Sequence, residues 1–379
     1  MYRRVMNPRL DWREKVEKLG LVYHTTDGKP YWNESACYMF SAREVDEIEA
    51  ATNTLHELCL QAAQHVIDRN RFHELGIPAK AIDAIRWSWE AEPPSLYGRF
   101  DLAYDGYGPP KMLEYNADTP TALVEAAVVQ WYWLQEVEPG ADQFNSLWEA
   151  FVAKWRELQA GRHLAGSPVY FGHAKSTEDL LTISLLRDTA QEAGIATEGI
   201  HMNEIGWNSH RNAFMDLQER PMRTIFKLYP WEWMLEEPFA VNALRTYPNV
   251  QWIEPIWKML LSSKGILAIL WELFPNHPNL LPAYFGRSRD LTQYVKKPLF
   301  SREGANIMMK TDSGLLRSGG PYDDSQCVFQ ALGPVPNIDG NYPVIGSWVI
   351  DGEAHGMGIR ESDGPITDNL SRFVPHMFR

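Results

Sequence analysis

Residues 98–116, GRFDLAYDGYGPPKMLEYN, set charged and amide side chains on alternate positions of two short segments, RFDLAYD and KMLEYN, joined by the Gly- and Pro-rich turn GYGPP. Alternate residues of a strand point to one face, so Arg99 and Asp101 share a face of the first segment and Glu114 and Asn116 share one of the second. If the two strands pair as a hairpin, one face carries all four. Two carboxylates, an amide oxygen and a guanidinium make a hard, oxygen-rich site suited to magnesium held jointly by protein and phosphates. The same spacing suits a surface hairpin with a cross-strand ion pair, and spacing alone does not separate the two.

Around this hairpin the chain mixes helical and strand patterns. Ser41 and Glu44 stand in capping-box spacing ahead of apolar residues at helical intervals, which predicts a long amphipathic helix over 41–75. Residues 121–160 have helical character. SPVYFGHA, STEDLLTISLLRDTAQEAG and IATEGIHM follow the strand, helix, strand order of a parallel βαβ unit, a candidate inserted substrate subdomain over about 165–225. RTIFKLYPWEWM supplies a further strand and IEPIWKMLLSSKGILAILWELF a helix. YVKKPLFSREGANIMMK, residues 294–310, resembles a strand, a Gly-containing loop and a second strand, and NYPVIGSWVIDGEAHGMGIRES returns to strand pattern. The expected fold class is α+β.

At 379 residues the chain exceeds the usual size of one compact domain, which predicts two or three subdomains around a shared cleft. A formal charge of −13 argues against sequence-independent binding to nucleic acid or anionic lipid, since both need clustered Lys and Arg. It suits cationic partners such as polyamines and is also a routine route to solubility. Cys37, Cys59 and Cys327 are widely separated and form no CxxC pair, so a reducing cytoplasm is the expected location. No apolar run approaches the length of a membrane span. The 15 tryptophans could line a carbohydrate cleft, although packing in cores is their commoner use.

Two lysines, Lys264 and Lys297, could supply point charges to phosphates, and the loop SREGAN (301–306) contains Gly304, where backbone N–H groups could approach them. Arg360, in HGMGIRE, could bind phosphate bidentately. By default the lysines would be solvated surface charges and HGMGIRE a bulged strand. The chain lacks GxxxxGK[ST], GxGxxG after a strand, GxSxG and HExxH, and its histidines show no ligand spacing.

Taken in order, GRFDLAYDG, MLEYNADTPTALVEAA, WKMLLSSKGILAILWELFP, YVKKPLFSREGANI and HGMGIRES resemble the synthetase domain of glutathionylspermidine synthase, and more closely the stand-alone acid–amine ligases of that family. The resemblance covers nearly the whole chain. It implies an ATP-grasp synthetase with a preATP-grasp-like substrate subdomain, in which ATP phosphorylates a carboxylate and an amine attacks the acyl phosphate. By resemblance, Asp101, Glu114 and Asn116 match magnesium ligands, and Arg99 and Arg360 match arginines at the reacting phosphates. Lys264 and Lys297 match nucleotide-binding lysines, with Gly304 in the candidate lid 301–306. Thr119, Thr121 and Glu125 fall at substrate positions. Bifunctional members carry small polar residues and a cysteine after EYNAD, where this chain has Thr119-Pro120-Thr121-Ala122. A glutathione-like peptide and a polyamine are the candidate acid and amine. No amidase domain precedes the synthetase residues, so no hydrolysis of the product is expected. A catalytically idle nucleotide-binding regulatory protein of the same fold is the alternative, and a carbohydrate-binding protein a more distant one.

Overall fold

The computed structural model describes every residue except Asp27, Asp324 and Asn369, and has a mixed helix and sheet architecture. The capping box forms at its expected place. Ser41 Oγ accepts from the Glu44 N–H, and the Glu44 carboxylate accepts from the Ser41 N–H at 2.9 Å. The helix that follows, Ala42–Asp68, stops short of residue 75, and Phe72–Leu75 is a separate 3-10 turn closed by Gly76 at φ 72°. Its face of Ile48, Leu55, Cys59 and Val66 is buried. Thr52 Oγ1, also buried, lies 2.7 Å from Ser347 Oγ and fastens the helix to a sheet strand.

That sheet has five antiparallel strands in the order Arg372–Val374, Glu353–Ser362, Tyr342–Ile350, Tyr97–Ala103 and Lys111–Asn116. Asp351 and Gly352, both at positive φ, join its two long strands, as a tight two-residue hairpin turn requires. A second five-stranded antiparallel sheet contains Tyr294–Pro298 between Cys327–Ala331 and Met308–Thr311. The third sheet is parallel, in the order Gln251–Ile253, Thr224–Leu228, Val169–His173 and Thr197–His201, with helix Thr177–Glu192 crossing between the last two. Val169, Phe171, Ile225 and Phe226 are buried in it, as parallel strands covered on both faces require.

The helical region after residue 121 resolves into the π turn Glu125–Val129 and the helices Gln130–Val137 and Leu147–Ala160. One expectation is corrected: IEPIWKMLLSSKGILAILWELF is not one helix. It divides into a 3-10 turn, Ile256–Lys258, and two helices, Met259–Ser262 and Ile266–Leu273. At the break Ser263 Oγ donates to the Leu75 carbonyl and the Lys264 N–H donates to the Leu299 carbonyl, both at 2.8 Å. The Lys264 N–H therefore bonds to the turn that follows the strand Tyr294–Pro298 instead of to the preceding helical turn. Trp32, Trp133, Trp155 and Trp348 are fully buried, so these indoles serve packing. No described helix is long and apolar enough to cross a membrane.

Candidate active site

The hairpin pairs Arg99 with Asn116 and Asp101 with Glu114, which sets all four side chains on one face. This face forms one wall of a cleft of about 670 Å³. Lys264, Lys297 and Arg360 line the same cleft, with Thr119, Thr121 and Gly304. Lys264 and Lys297 are only 9% and 8% exposed, which removes the reading of solvated surface charges.

Each oxygen of Asp101 meets an arginine. Arg99 Nε donates to Oδ1 at 3.0 Å, and an Arg360 Nη donates to Oδ2. Arg99 also donates to the Thr121 carbonyl at 2.6 Å. Lys264 Nζ lies 3.3 Å from Glu114 Oε2 and donates to the Ser301 carbonyl at 2.5 Å, a reach made possible by the helix break just before it. Lys297 extends from the second sheet and donates to the Leu113 carbonyl at 2.9 Å and to Gln330 Oε1 at 2.7 Å. Burial alone would raise the Glu114 carboxyl, but Lys264, Lys297, an Asn116 N–H and Arg360 outweigh it and hold it well below the usual carboxylate range. Burial pulls the Lys297 ammonium down to about 8, against the attraction of Glu114. Four cations facing two carboxylates leave the floor net positive, which suits a polyanion.

Among the described residues no cluster of three His, Cys, Asp or Glu is arranged to hold a metal. The hairpin instead offers two carboxylates and the Asn116 amide, whose Nδ2 donates to Glu114 Oε1 at 3.1 Å. Such a small oxygen set fits magnesium, which keeps water and phosphate oxygens among its ligands.

The remaining expected residues divide. Thr119 Oγ1 accepts from Arg302 at 3.0 Å. Gly304 has φ 68°, and a Cβ there would lie 2.2 Å from the Thr367 carbonyl oxygen, so only glycine lets the 301–306 loop pack against that segment. Glu125 is not on the cleft wall. It is buried behind it, its Oε1 accepting the hydroxyls of Tyr23 and Tyr31 at 2.7 Å each, and burial raises its carboxyl. Tyr31 lines the cleft in its place. Direct contact between Glu125 and a substrate is closed off here by the two tyrosines.

Several cleft residues escaped the sequence reading. Arg302, inside SREGAN, donates to Glu232 Oε1 at 2.6 Å and ties the loop to the segment after Thr224–Leu228. Glu178 and Asp179 line the cleft beside Ala174, Ser176, Leu228 and Pro230. These residues follow the carboxyl ends of two adjacent parallel strands, Val169–His173 and Thr224–Leu228, whose onward connections run to opposite sides. Ligands of open α/β sheets bind at such a switch point. The acidic pair could have been suspected from the βαβ pattern, but its facing the hairpin could not. Burial, reinforced by Glu178, pushes Asp179 up to about 7.

The sequence pattern of the family described as glutathionylspermidine synthase preATP-grasp matches residues 3–379. The chain belongs to the glutathionylspermidine synthase family. Within it, the chain is 40% identical to a Haemophilus influenzae protein provisionally named as an acid–amine ligase, over 98% of this chain and 97% of that one. It is 27% identical to the trypanothione synthetase of Crithidia fasciculata, over 84% of this chain and 53% of that protein. It is 25% identical to the bifunctional glutathionylspermidine synthetase/amidase of Escherichia coli, over 96% of this chain and 63% of that protein. The chain thus matches less than two thirds of the length of these two members of the glutathionylspermidine synthase family.

Proposed function

We propose that the chain is an ATP- and Mg2+-dependent carboxylate–amine ligase of ATP-grasp type that forms an amide through an acyl phosphate. The observation that carries this reading is the convergence of Asp101 and Glu114 with Arg99, Lys264, Lys297 and Arg360 on one cleft between sheets. Phosphoryl transfer asks little covalent chemistry of a protein, so positioning and charge neutralisation do most of the catalysis. Lys264 and Lys297 hold the nucleotide phosphates, while Arg99 and Arg360 orient the transferring group. Asp101, Glu114 and Asn116 hold magnesium, which when bound neutralises charge on the phosphates. The 301–306 loop, anchored by Arg302 to Glu232, covers the site and keeps water from the acyl phosphate.

The acid enters along Thr119, Thr121 and Tyr31, with Glu125 orienting the tyrosine from behind. The cleft also carries Glu178, Asp179, Glu303 and Asp368, and these acidic groups suit a polyamine as the amine. A peptide carboxylate of glutathione type is the candidate acid.

The test is ADP release by the purified protein with ATP and Mg2+, across a matrix of peptides including glutathione and amines including spermidine and putrescine. Release that requires one acid and one amine, and is abolished in Asp101→Ala, is the expected result. Binding of ATP with no pair stimulating release would replace this reading with that of a catalytically idle nucleotide-binding protein.

A further inference from the structure

Asp101 and Glu114, the two carboxylates assigned above to magnesium, have all four oxygens met by donors of the chain itself. Arg99 Nε and an Arg360 Nη take the oxygens of Asp101, and the Asn116 amide at 3.1 Å and Lys264 Nζ at 3.3 Å take those of Glu114. With Lys297 beside them, four cations stand against two anions on this floor. A free divalent cation is repelled by that net charge and finds no carboxylate oxygen without a partner. A polyphosphate is attracted to the same floor.

The two arginines on Asp101 are not equivalent. The Arg99 side chain is 8% exposed, donates also to the Thr121 carbonyl at 2.6 Å, and has its guanidinium over the Trp348 ring, 5.5 Å from the centroid. It is held from three directions. The Arg360 side chain is 22% exposed and lines the cleft, and among the described residues its one side-chain hydrogen bond is the one to Asp101. A guanidinium has five N–H donors, so Arg360 keeps several for a ligand in the cleft. A multiply charged phosphate offers them a stronger partner than one carboxylate oxygen.

We infer that Arg360 is an exchangeable guard on Asp101. It keeps free divalent cations off the carboxylate, and it turns to a nucleotide phosphate when one arrives, which releases Asp101 Oδ2 to a metal that enters with the nucleotide. Arg99 stays on Oδ1. The inference rests on the ligase reading of this cleft and adds an order to it: the metal is taken only together with a polyphosphate. A ligand shifts such an equilibrium through its differential affinity for the two arrangements, and the bond between Arg360 and phosphate supplies that difference.

Water-proton relaxation by Mn2+, standing in for magnesium, tests this on the full chain with and without a non-hydrolysable ATP analogue. The protein-dependent enhancement counted is the part removed by Asp101→Asn, or by Glu114→Gln where the first variant does not fold, because a chain of net charge −13 offers Mn2+ other carboxylates. Mn2+ alone should bind roughly fiftyfold more weakly than Mn2+ with the analogue. Arg360→Gln, which removes the charge, should gain about tenfold in affinity for Mn2+ alone, whereas Arg360→Lys, which keeps it, should not. Equal affinity with and without the analogue, or no gain in Arg360→Gln, would overturn the guard and leave the ligase reading intact. No enhancement even with the analogue present would overturn both. The comparison with and without the analogue is made on the unmodified chain, so it is decisive even where an Arg360 variant does not fold.

Discussion

Asp101 carries an arginine on each carboxylate oxygen and Glu114 faces a lysine, so in this dense cluster the group poised to change charge just above neutrality is Lys297. Its ammonium is pulled down to about 8, so it is charged below that pH and neutral above it. If Lys297 holds nucleotide phosphates, kcat/KM for ATP, which reports groups of the free enzyme, falls as pH rises through about 8. Lys297→Arg stays charged throughout and should flatten the fall. A wild-type profile that stays level well beyond pH 8 would take Lys297 out of the nucleotide site. At this scale the alternation of the two strands made the shared face of Arg99, Asp101, Glu114 and Asn116 legible, because side-chain direction follows from strand geometry. The burial of Glu125 behind Tyr31 was not legible, since it depends on tyrosines about a hundred residues earlier.

Among the elements, helices and strands were read where capping and periodicity are local, and misread where a distant partner competes for the backbone. The break at Ser263 is such a place. Leu75 and Leu299 take its hydrogen bonds, and the resulting turn aims Lys264 at Glu114. The 301–306 loop is governed the same way. Gly304→Ala would put a Cβ against the Thr367 carbonyl oxygen in a backbone conformation that costs an L-residue roughly 1–2 kcal/mol. The loop should yield before the sheets do. ATP affinity is expected to fall about tenfold, near 1.4 kcal/mol, with a small change in the thermal midpoint. Calorimetric titration and a melt on the same variant check this, and unchanged ATP affinity would free the loop of any part in nucleotide binding.

For the molecule as a whole, a buried ion pair joins the parallel sheet to the hairpin. Lys227 Nζ donates to Asp118 Oδ1 at 2.6 Å with both side chains essentially inaccessible, and Asp118 Oδ2 accepts from the Trp231 N–H at 2.9 Å. Burial lowers the lysine and raises the aspartate, and their mutual attraction opposes both effects. Asp118 lies two residues beyond Asn116, so the pair connects the cleft's hairpin wall to the strand that leads into Glu232. Lys227→Met strands a buried carboxylate and should cost about 3–5 kcal/mol in urea unfolding, while Lys227→Met combined with Asp118→Leu should recover much of it. A single variant as stable as the parent would show that the sheets are held together elsewhere.

Side-chain alternation, the capping box and the strand, helix, strand order were determined by the sequence itself, because each acts over a few residues and needs no distant partner. Five ordered motifs also determined the family. The tertiary structure alone decided which lysine reaches Glu114, that Tyr31 rather than Glu125 meets the cleft, and that Glu178 and Asp179 face the hairpin. Each of these depends on hydrogen bonds and packing between segments far apart in the chain, where burial sets which charges are paired and which remain available to a substrate.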